Sequence, residues 1–175
     1  MPVKRIDIYG QIKSCSIYPV MDGVAADTPA AIDATITLPN ISFESTTVQM
    51  MGSMTMPDHS RLSDMSLSIT VTQSSLTAPL SGKGLKSYVI RWAQEVVEPS
   101  DAVRIVGGVC YCSGYVTQVP ESAKSPGGEG TSDYTMSLCK YRVLIDGKEM
   151  FNIDRGAGKL VINGEDYRSE IDDLL

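Results

Sequence analysis

The chain of 175 residues is 42% hydrophobic and carries a formal net charge of −6. Its mean hydropathy of −0.03 is typical of a soluble globular protein, and no apolar stretch reaches the roughly 20 residues that a membrane-spanning helix needs. The acidic balance, with a pI near 4.7, argues against a protein that binds nucleic acid by neutralising phosphates. The length favours one domain covering residues 1–175.

Alternating strands are predicted after an N-terminal segment, residues 1–31, that is expected to be partly irregular. A period of two between apolar and polar residues is typical of a half-buried antiparallel strand. The first clear strand has the apolar residues Ile32, Ala34, Ile36 and Leu38 on one side. The cleanest strand has Met65, Leu67, Ile69 and Val71 on one side and Ser or Thr on the other.

A methionine-rich segment lies between these two strands. Gly52 and Ser53 indicate a turn, so residues 44–58 are expected to form a hairpin that projects from the fold. Its strand parity fits a buried core, whereas unbranched thioether side chains at an exposed tip fit a partner surface. The residues alone leave both interpretations open. The apolar residues that share this parity are Val48, Met50, Met54 and Met56.

One internal helix is predicted over residues 85–98. Apolar side chains recur there at helical spacing, Arg91 and Glu95 lie on the other side, and Pro99 ends the pattern. The only tryptophan lies in the middle of the stripe, so the helix is expected to cover the open side of a rolled sheet. The stripe consists of Leu85, Tyr88, Val89, Trp92, Ala93, Val96 and Val97.

Two long strands are predicted on either side of a flexible loop, residues 122–133, which is rich in Gly, Ser, Lys and Pro. The apolar parity of the second strand, from about Tyr134 to Ile145, changes sides. That change predicts a β-bulge near Leu138 or Cys139, or a strand that passes between two packing surfaces. The first strand has Val103, Ile105, Val109, Tyr111, Tyr115 and Val119 in one parity.

The C-terminal segment carries a signal at each join. Asp146-Gly147 predicts a two-residue hairpin turn, and Asn163-Gly164 follows a short strand, Lys159–Ile162. A helix over residues 165–175 is expected next, because acidic residues favour a helix start. These elements predict a mainly β fold: an antiparallel barrel or sandwich with one packed internal helix and a short C-terminal helix.

No set of residues suited to catalysis emerges. His59 is the only histidine and lies in a polar loop, so a nucleophilic triad has no good base. Cys110 and Cys112 share a face and, with Cys15 and Cys139, permit a zinc site, but the two Cys-x₂₋₄-Cys knuckles of structural zinc sites are missing. Small apolar packing is favoured, with reduced thiols because no secretory signal is visible. The sequence predicts no enzyme, metal or cofactor.

Two segments carry a resemblance to a known family: residues 41–57 and the order of elements over residues 142–175, including Asp146-Gly147-Lys148-Glu149 followed by Ile153-Asp154, and Val161-Ile162-Asn163-Gly164. They resemble the major tail tube protein of contractile-tailed bacteriophages, a family that also builds the inner tubes of R-type bacteriocins. The likeness covers roughly residues 32–175. It implies a structural protomer that assembles into hexameric rings, stacked as the inner tube of a contractile injection system. A phage and a headless bacteriocin both use such a tube, so both remain open.

The resemblance also implies partners and location. The partners are other copies of the chain, a sheath protein around the tube, and baseplate and terminator proteins at its ends. DNA or ions pass through the lumen without specific binding, and an acidic wall would repel phosphates. Assembly is implied in the bacterial cytoplasm, then a place in a virion or extracellular tail-like particle without a membrane anchor. The alternative is a ring-forming, type VI-like secreted tube that carries effectors, or another binding module with the same barrel.

The resemblance places subunit contacts on the hairpin and the C-terminal helix, with the N-terminal segment and the loop from Ser74 to Lys83 as further contact regions. The interface residues expected in the hairpin are Thr46, Thr47, Val48, Gln49, Met50, Met51, Gly52, Ser53, Met54, Thr55 and Met56. Those expected in the C-terminal helix are Tyr167, Ile171, Leu174 and Leu175.

Overall fold

The computed structural model describes residues 7–72, 83–119, 127–128 and 130–173. Every strand pair among these residues is antiparallel, so the predicted mainly β, antiparallel fold is confirmed. In chain order the described elements are β1 (Ile8–Met21), β2 (Val24–Ala25), β3 (Ala31–Ile32), β4 (Thr35–Thr37), β5 (Phe43–Gln49), β6 (Ser53–Leu62), β7 (Ser66–Thr72), β8 (Leu85–Val97), β9 (Val103–Gln118), β10 (Thr131–Ile145), β11 (Lys148–Asp154), β12 (Lys159–Ile162), β13 (Glu165–Asp166) and α1 (Ser169–Asp172).

Most strands belong to one sheet of eleven strands with β8, β9 and β10 at its centre. The main path of this sheet runs β13-β12-β11-β10-β9-β8-β1-β2. Strand β10 forks the sheet, because on the edge away from β9 its first half pairs with β7 and its second half with β11. Strands β5 and β6 pair with each other in a separate two-stranded sheet.

The sheet curls but does not close into the expected barrel. The segment that would complete the ring is broken: β3 pairs with β1, whereas β4 pairs with β7. Asp33 lies between β3 and β4 with a φ of 53°, in the left-handed region that a strand cannot adopt. The chain therefore forms two short strands here, and no continuous strand pairs with both β1 and β7.

The helix predicted over residues 85–98 is wrong, because Leu85–Val97 form strand β8 between β1 and β9. Ile90 lies outside the apolar helical stripe, yet it is only 1% exposed and belongs to the core together with Tyr88 and Trp92, which lie two residues away on either side. Aromatic and β-branched residues favour strands. The two neighbouring strands also satisfy the backbone groups that a helix would pair internally.

The core lies on the inner face of the curled sheet. The predicted alternation of β7 is confirmed, since Met65, Leu67, Ile69 and Val71 are at most 1% exposed. Ser66, Ser68 and Thr70, with Thr72, point to the opposite face of that strand. Residues of β1, β8, β9, β10, β11 and β12 complete the same apolar cluster.

On β9 the buried side is opposite to the apolar parity of the sequence. Cys110 and Cys112 are buried, whereas Ile105 and Tyr111 point outward. The cause is the space that neighbouring strands fill on the inner side. A Cβ atom added to Gly108 would overlap the Trp92 indole, so this position of β9 accepts only glycine.

The β-bulge predicted near Leu138 or Cys139 is confirmed, because the register between β9 and β10 shifts between Leu138 and Lys140. The shift lets Leu138 and Tyr141 both face the core. The predicted turn at Asp146-Gly147 joins β10 to β11 with φ angles of 52° and 74°, as in a type I′ hairpin turn.

The C-terminal helix predicted over residues 165–175 is much shorter, because α1 covers only Ser169–Asp172. Asn163 and Gly164 have φ angles of 51° and 84° and form a second turn of the same kind. Such a turn returns the chain antiparallel to the strand before it, so Glu165–Asp166 pair with β12 instead of starting a helix. Leu174 and Leu175 lie outside the described residues.

The two remaining segments are described only in part. Within residues 1–31, the expected irregular segment contains the long strand β1. Half of the predicted loop at 122–133 lies outside the described residues, and β10 begins inside it at Thr131. In the part of the chain that the structure describes, no helix has the length and apolar content to cross a bilayer.

A cluster of charges around Arg104 links three turns and strand ends. Its guanidinium lies 2.6 Å from Glu98, 2.8 Å from Asp146 and 3.7 Å from Asp7. These residues come from the β8–β9 turn, the β10–β11 turn and the start of β1. The hydrogen bond from Arg104 lowers the pKa of Asp146 below its usual value. Similarly, the hydrogen bond from Arg142 lowers the pKa of Glu149.

Two adjacent glycines of β9 provide a matched test of packing. Gly108→Ala should destabilise the protein by about 1–3 kcal/mol, because the added methyl group overlaps the Trp92 indole. Gly107→Ala should leave stability nearly unchanged, because no atom lies within 4 Å of its added Cβ. Urea unfolding of both variants measures the difference. Equal stabilities of the two variants would contradict the position of Trp92.

Acidification should weaken the fold through the carboxylates with lowered pKa values. A carboxylate whose pKa is lower in the folded than in the unfolded state stabilises the protein at pH values above its unfolded pKa, which is about 3.9 for Asp. This stabilisation is lost as the pH falls through the folded pKa. The free energy of unfolding should therefore decrease below about pH 4. Asp146→Asn, which keeps the turn chemistry, should show a smaller decrease than the natural chain in thermal unfolding across pH. An unchanged pH dependence in this variant would exclude the contribution of Asp146.

Candidate assembly surfaces

The methionine-rich segment forms the hairpin of β5 and β6. Val48 pairs with Met54, and Thr46 pairs with Met56. At the tip the Met50 N–H donates to the Gly52 carbonyl over 2.7 Å, and Met51 adopts a φ of 47°. Among the described residues, neither β5 nor β6 pairs with a strand of the large sheet. The hairpin is therefore a separate two-stranded unit.

The outer part of this hairpin is apolar and uncharged. No residue between Glu44 and Asp58 carries a charge. Residues directly opposite each other on paired strands share a face, so Val48, Met54 and Met56 lie together. These methionines, with Met50 and Met51, are exposed to solvent, and Met51 is fully so. Exposed apolar patches of this kind are typical of surfaces that contact a partner.

Aromatic rings fix the base of the hairpin. The Phe43 ring lies 5.7 Å from the Tyr167 ring in a stacked arrangement and 4.8 Å from His59 edge-on. Phe43 and Tyr167 also pack against the core. The Arg155 guanidinium donates to the Ser63 carbonyl just beyond β6. The hairpin is therefore held at its base while its tip remains free of contacts with the large sheet.

The predicted interface residues of the C-terminal region have separate positions. Tyr167 is partly buried against Phe43, and its N–H donates to the Leu160 carbonyl over 2.9 Å, so it supports the hairpin base. Ile171, on α1, is exposed. The structure thus places Tyr167 against the base of the hairpin. The methionine tip contacts neither Tyr167 nor Ile171.

A second exposed apolar surface, which the sequence did not identify, lies on the outer face of β1, β8 and β9. In one row across this face, Ile8 pairs with Val97 and Val97 with Val103. The signal was present as the apolar parity of β9, but the parity alone does not say which side is buried. The large apolar residues of this face, 46–63% exposed, include Ile8, Leu85, Val103, Ile105, Tyr111 and Tyr115.

Strand β1 also has an open edge. Its partner β8 follows one edge, and on the other edge β3 pairs at Ser16 and Ile17 and β2 at Val20 and Met21. Within the described residues, no strand pairs with that edge from Ile8 to Cys15. Unpaired N–H and C=O groups on an edge strand can accept a strand from another chain.

A third surface is lined by hydroxyl groups. On the outer faces of β4, β7 and β10, Thr70 lies between Thr35 and Asp133, and Ser68 lies between Thr37 and Thr135. The Thr70 hydroxyl donates a hydrogen bond of 2.6 Å to the Asp133 carboxylate, which is the only acidic group in these two rows. The complete hydroxyl face comprises Thr35, Thr37, Ser66, Ser68, Thr70, Thr72, Thr131, Asp133, Thr135 and Ser137.

The candidate reactive groups have structural surroundings. Hydrogen bonding with Cys112 and burial raise the pKa of the Cys110 thiol, and burial raises the pKa of Cys15 to about 11. These thiols are protonated at neutral pH, which makes them poor nucleophiles and metal ligands. His59 packs against Phe43 at the hairpin base. Among the described residues, no group of three or more His, Cys, Asp or Glu side chains is arranged to hold a metal ion.

Comparison with known proteins identifies a family whose sequence profile matches this chain. The sequence profile of the family described as phage tail tube protein FII matches residues 26–174. The match covers the hairpin and the large sheet from β3 onward. The search of curated proteins gives no match.

The family match confirms the predicted resemblance to a phage tail tube protein. Proteins of this family have a structural role: they self-assemble into a tube together with other tail components, as part of the virion. The exposed hairpin, the apolar outer face and the open edge of β1 are surfaces of the kind that such assembly needs. The chain belongs to the phage tail tube protein FII family.

Proposed function

We propose that this tail tube protein forms hexameric rings that stack as the inner tube of a contractile phage tail or of a headless, phage-tail-like bacteriocin. The bore of the tube passes DNA or ions, and the role of the chain is structural and not catalytic. One observation carries the proposal beyond the family match. It is the uncharged hairpin, whose methionine tip is exposed to solvent although its side chains are apolar.

The hairpin supports contacts between stacked rings. Burying one methionine side chain completely contributes about 1.5–3 kcal/mol. Met50 and Met51 lie at the tip and have unbranched side chains that adapt to a partner surface. A ring presents one tip from each subunit, so the contact energy is multiplied around the ring.

The open edge of β1 supports contacts within a ring. A strand from a neighbouring copy would pair with the backbone from Ile8 to Cys15, and the apolar outer face lies beside that edge. The two surfaces in such a contact differ, so it is a heterologous contact, which closes into a ring when the rotation between subunits allows it.

The hydroxyl face supports a role as the lining of the bore. Hydroxyl groups hydrate well and offer no positive charge to phosphates, and Asp133 is held by Thr70. With a net charge of −6 on each subunit, such a wall would let DNA pass without binding it. The sheath protein would then surround the opposite side, and baseplate and terminator proteins would contact the two ends.

Charges at the hairpin tip should block stacking. Met50→Asp with Met51→Asp should abolish tubes in negative-stain microscopy while thermal unfolding stays near that of the natural chain, because both positions are exposed. Aspartate also tolerates the positive φ of Met51. Each 1.4 kcal/mol of lost contact energy raises the concentration needed for assembly about tenfold. Met50→Leu with Met51→Leu is the apolar control and should still assemble; tubes from the double aspartate variant would exclude the hairpin as a stacking contact.

The side of the wall that faces the bore can be located by labelling. Ser68→Cys places an exposed thiol in the middle of the hydroxyl face. After reaction of the assembled tubes with a heavy-atom maleimide, electron cryo-microscopy should show added density inside the bore. Tubes of the natural chain give the background from its own cysteines. Added density on the outer wall would instead show that the hydroxyl face lies on the outside of the tube.

A further inference from the structure

An apolar groove of about 460 Å³ opens beside Trp92 at one end of the core. Trp92 and Ile145 line it from the large sheet, and Ile36 and Leu38 line it from β4 and the residue that follows it. Ile12, which is 59% exposed, forms part of its lip. No acidic or basic side chain lines the groove.

The groove results from two features of the fold. The break at Asp33 keeps β3 and β4 short, so the curled sheet does not cover this end of the core. Gly108 allows the Trp92 indole to lie against the backbone of β9, which leaves space above the ring. A cavity of this size with apolar walls is of the kind that receives an apolar group from a partner.

The chemistry of the groove restricts its occupant. A charged segment would lose its hydration there without meeting an opposite charge, which is unfavourable. The hairpin tip of this same chain has the complementary properties: it is uncharged between Glu44 and Asp58, apolar and narrow. Met50 and Met51 can enter an irregular groove because thioether side chains bend freely.

The tip does not fill the groove of its own molecule. Met51 is fully exposed, and the hairpin base is fixed by the stacking of Phe43 on Tyr167. We infer that the groove beside Trp92 receives the methionine tip of the hairpin from a second copy of this chain. The inference rests on the proposed function and names the receptor surface for the stacking contact. Tip and groove are different surfaces, so the contact repeats from copy to copy.

Trp92 is the only tryptophan of the chain and therefore reports on the groove directly. When tubes form, its fluorescence emission should shift to shorter wavelength and quenching by acrylamide should decrease, because methionine side chains replace water beside the indole. Tubes with unchanged Trp92 emission and quenching would overturn the inference while leaving the proposed function intact. A chain that stays monomeric at every concentration and salt condition would instead contradict the proposed function and the inference together.

A charge-pair experiment tests the same contact. Met51→Glu and Ile12→Lys should each prevent tube formation, because each puts one charge into an apolar contact. The two substitutions together should restore assembly, at a concentration closer to that of the natural chain and with a strong dependence on salt.

Val24→Lys is the matched control for the charge pair. Val24 is similarly exposed, at 70%, but lies on β2, outside both the groove and the open edge of β1. Met51→Glu combined with Val24→Lys should remain unassembled. Restoration by both lysines equally, or by neither although each double variant is folded, would show that the tip binds elsewhere.

Discussion

The antiparallel ladder through β8, β9 and β10 is the constraint on which the rest of the structure depends. Long strands that pair on both edges must point alternate side chains to opposite faces. Once Cys110 and Cys112 face the core beside Trp92, Ile105 and Tyr111 have to face outward. The exposed apolar residues on the outer face of β9 are therefore a consequence of the register between β8 and β9. A shift of β9 by one residue would turn Ile105 and Tyr111 to the core and Cys110 and Cys112 to the outer face.

The exposed surfaces of the molecule differ in chemistry. The face around Ser68 carries hydroxyl groups and suits contact with water, whereas the outer face and the methionine tip expose apolar side chains. The edge of β1 exposes backbone groups from Ile8 to Cys15. Exposed apolar patches and unpaired strand edges are suited to contacts with other chains. A tail tube protein self-assembles, and the outer face, the methionine tip and the edge of β1 are features of the kind that such assembly needs.

The hairpin combines a fixed base with a free tip, and the C-terminal segment provides the base. Tyr167 stacks on Phe43, and the chain reaches Tyr167 through the Asn163-Gly164 turn. The resemblance implied that both regions contact neighbouring subunits. The structure adds a connection between them, because the Tyr167 ring stacks on the Phe43 ring at the hairpin base.

The sequence by itself determined the local features: the turns at Asp146-Gly147 and Asn163-Gly164, the alternation of β7 and the uncharged hairpin. Each depends on adjacent residues, whose φ preferences and polarity act without distant partners. Only the tertiary structure decided that Leu85–Val97 form a strand, which face of β9 is buried, and where a groove opens beside Trp92. The apolar pattern of β8 fits a helix or a strand, and the choice follows from the backbone partners that β1 and β9 provide. Likewise, parity divides β9 into two faces, but only the structure shows that the face of Gly108, which pairs with Trp92, is the inner one.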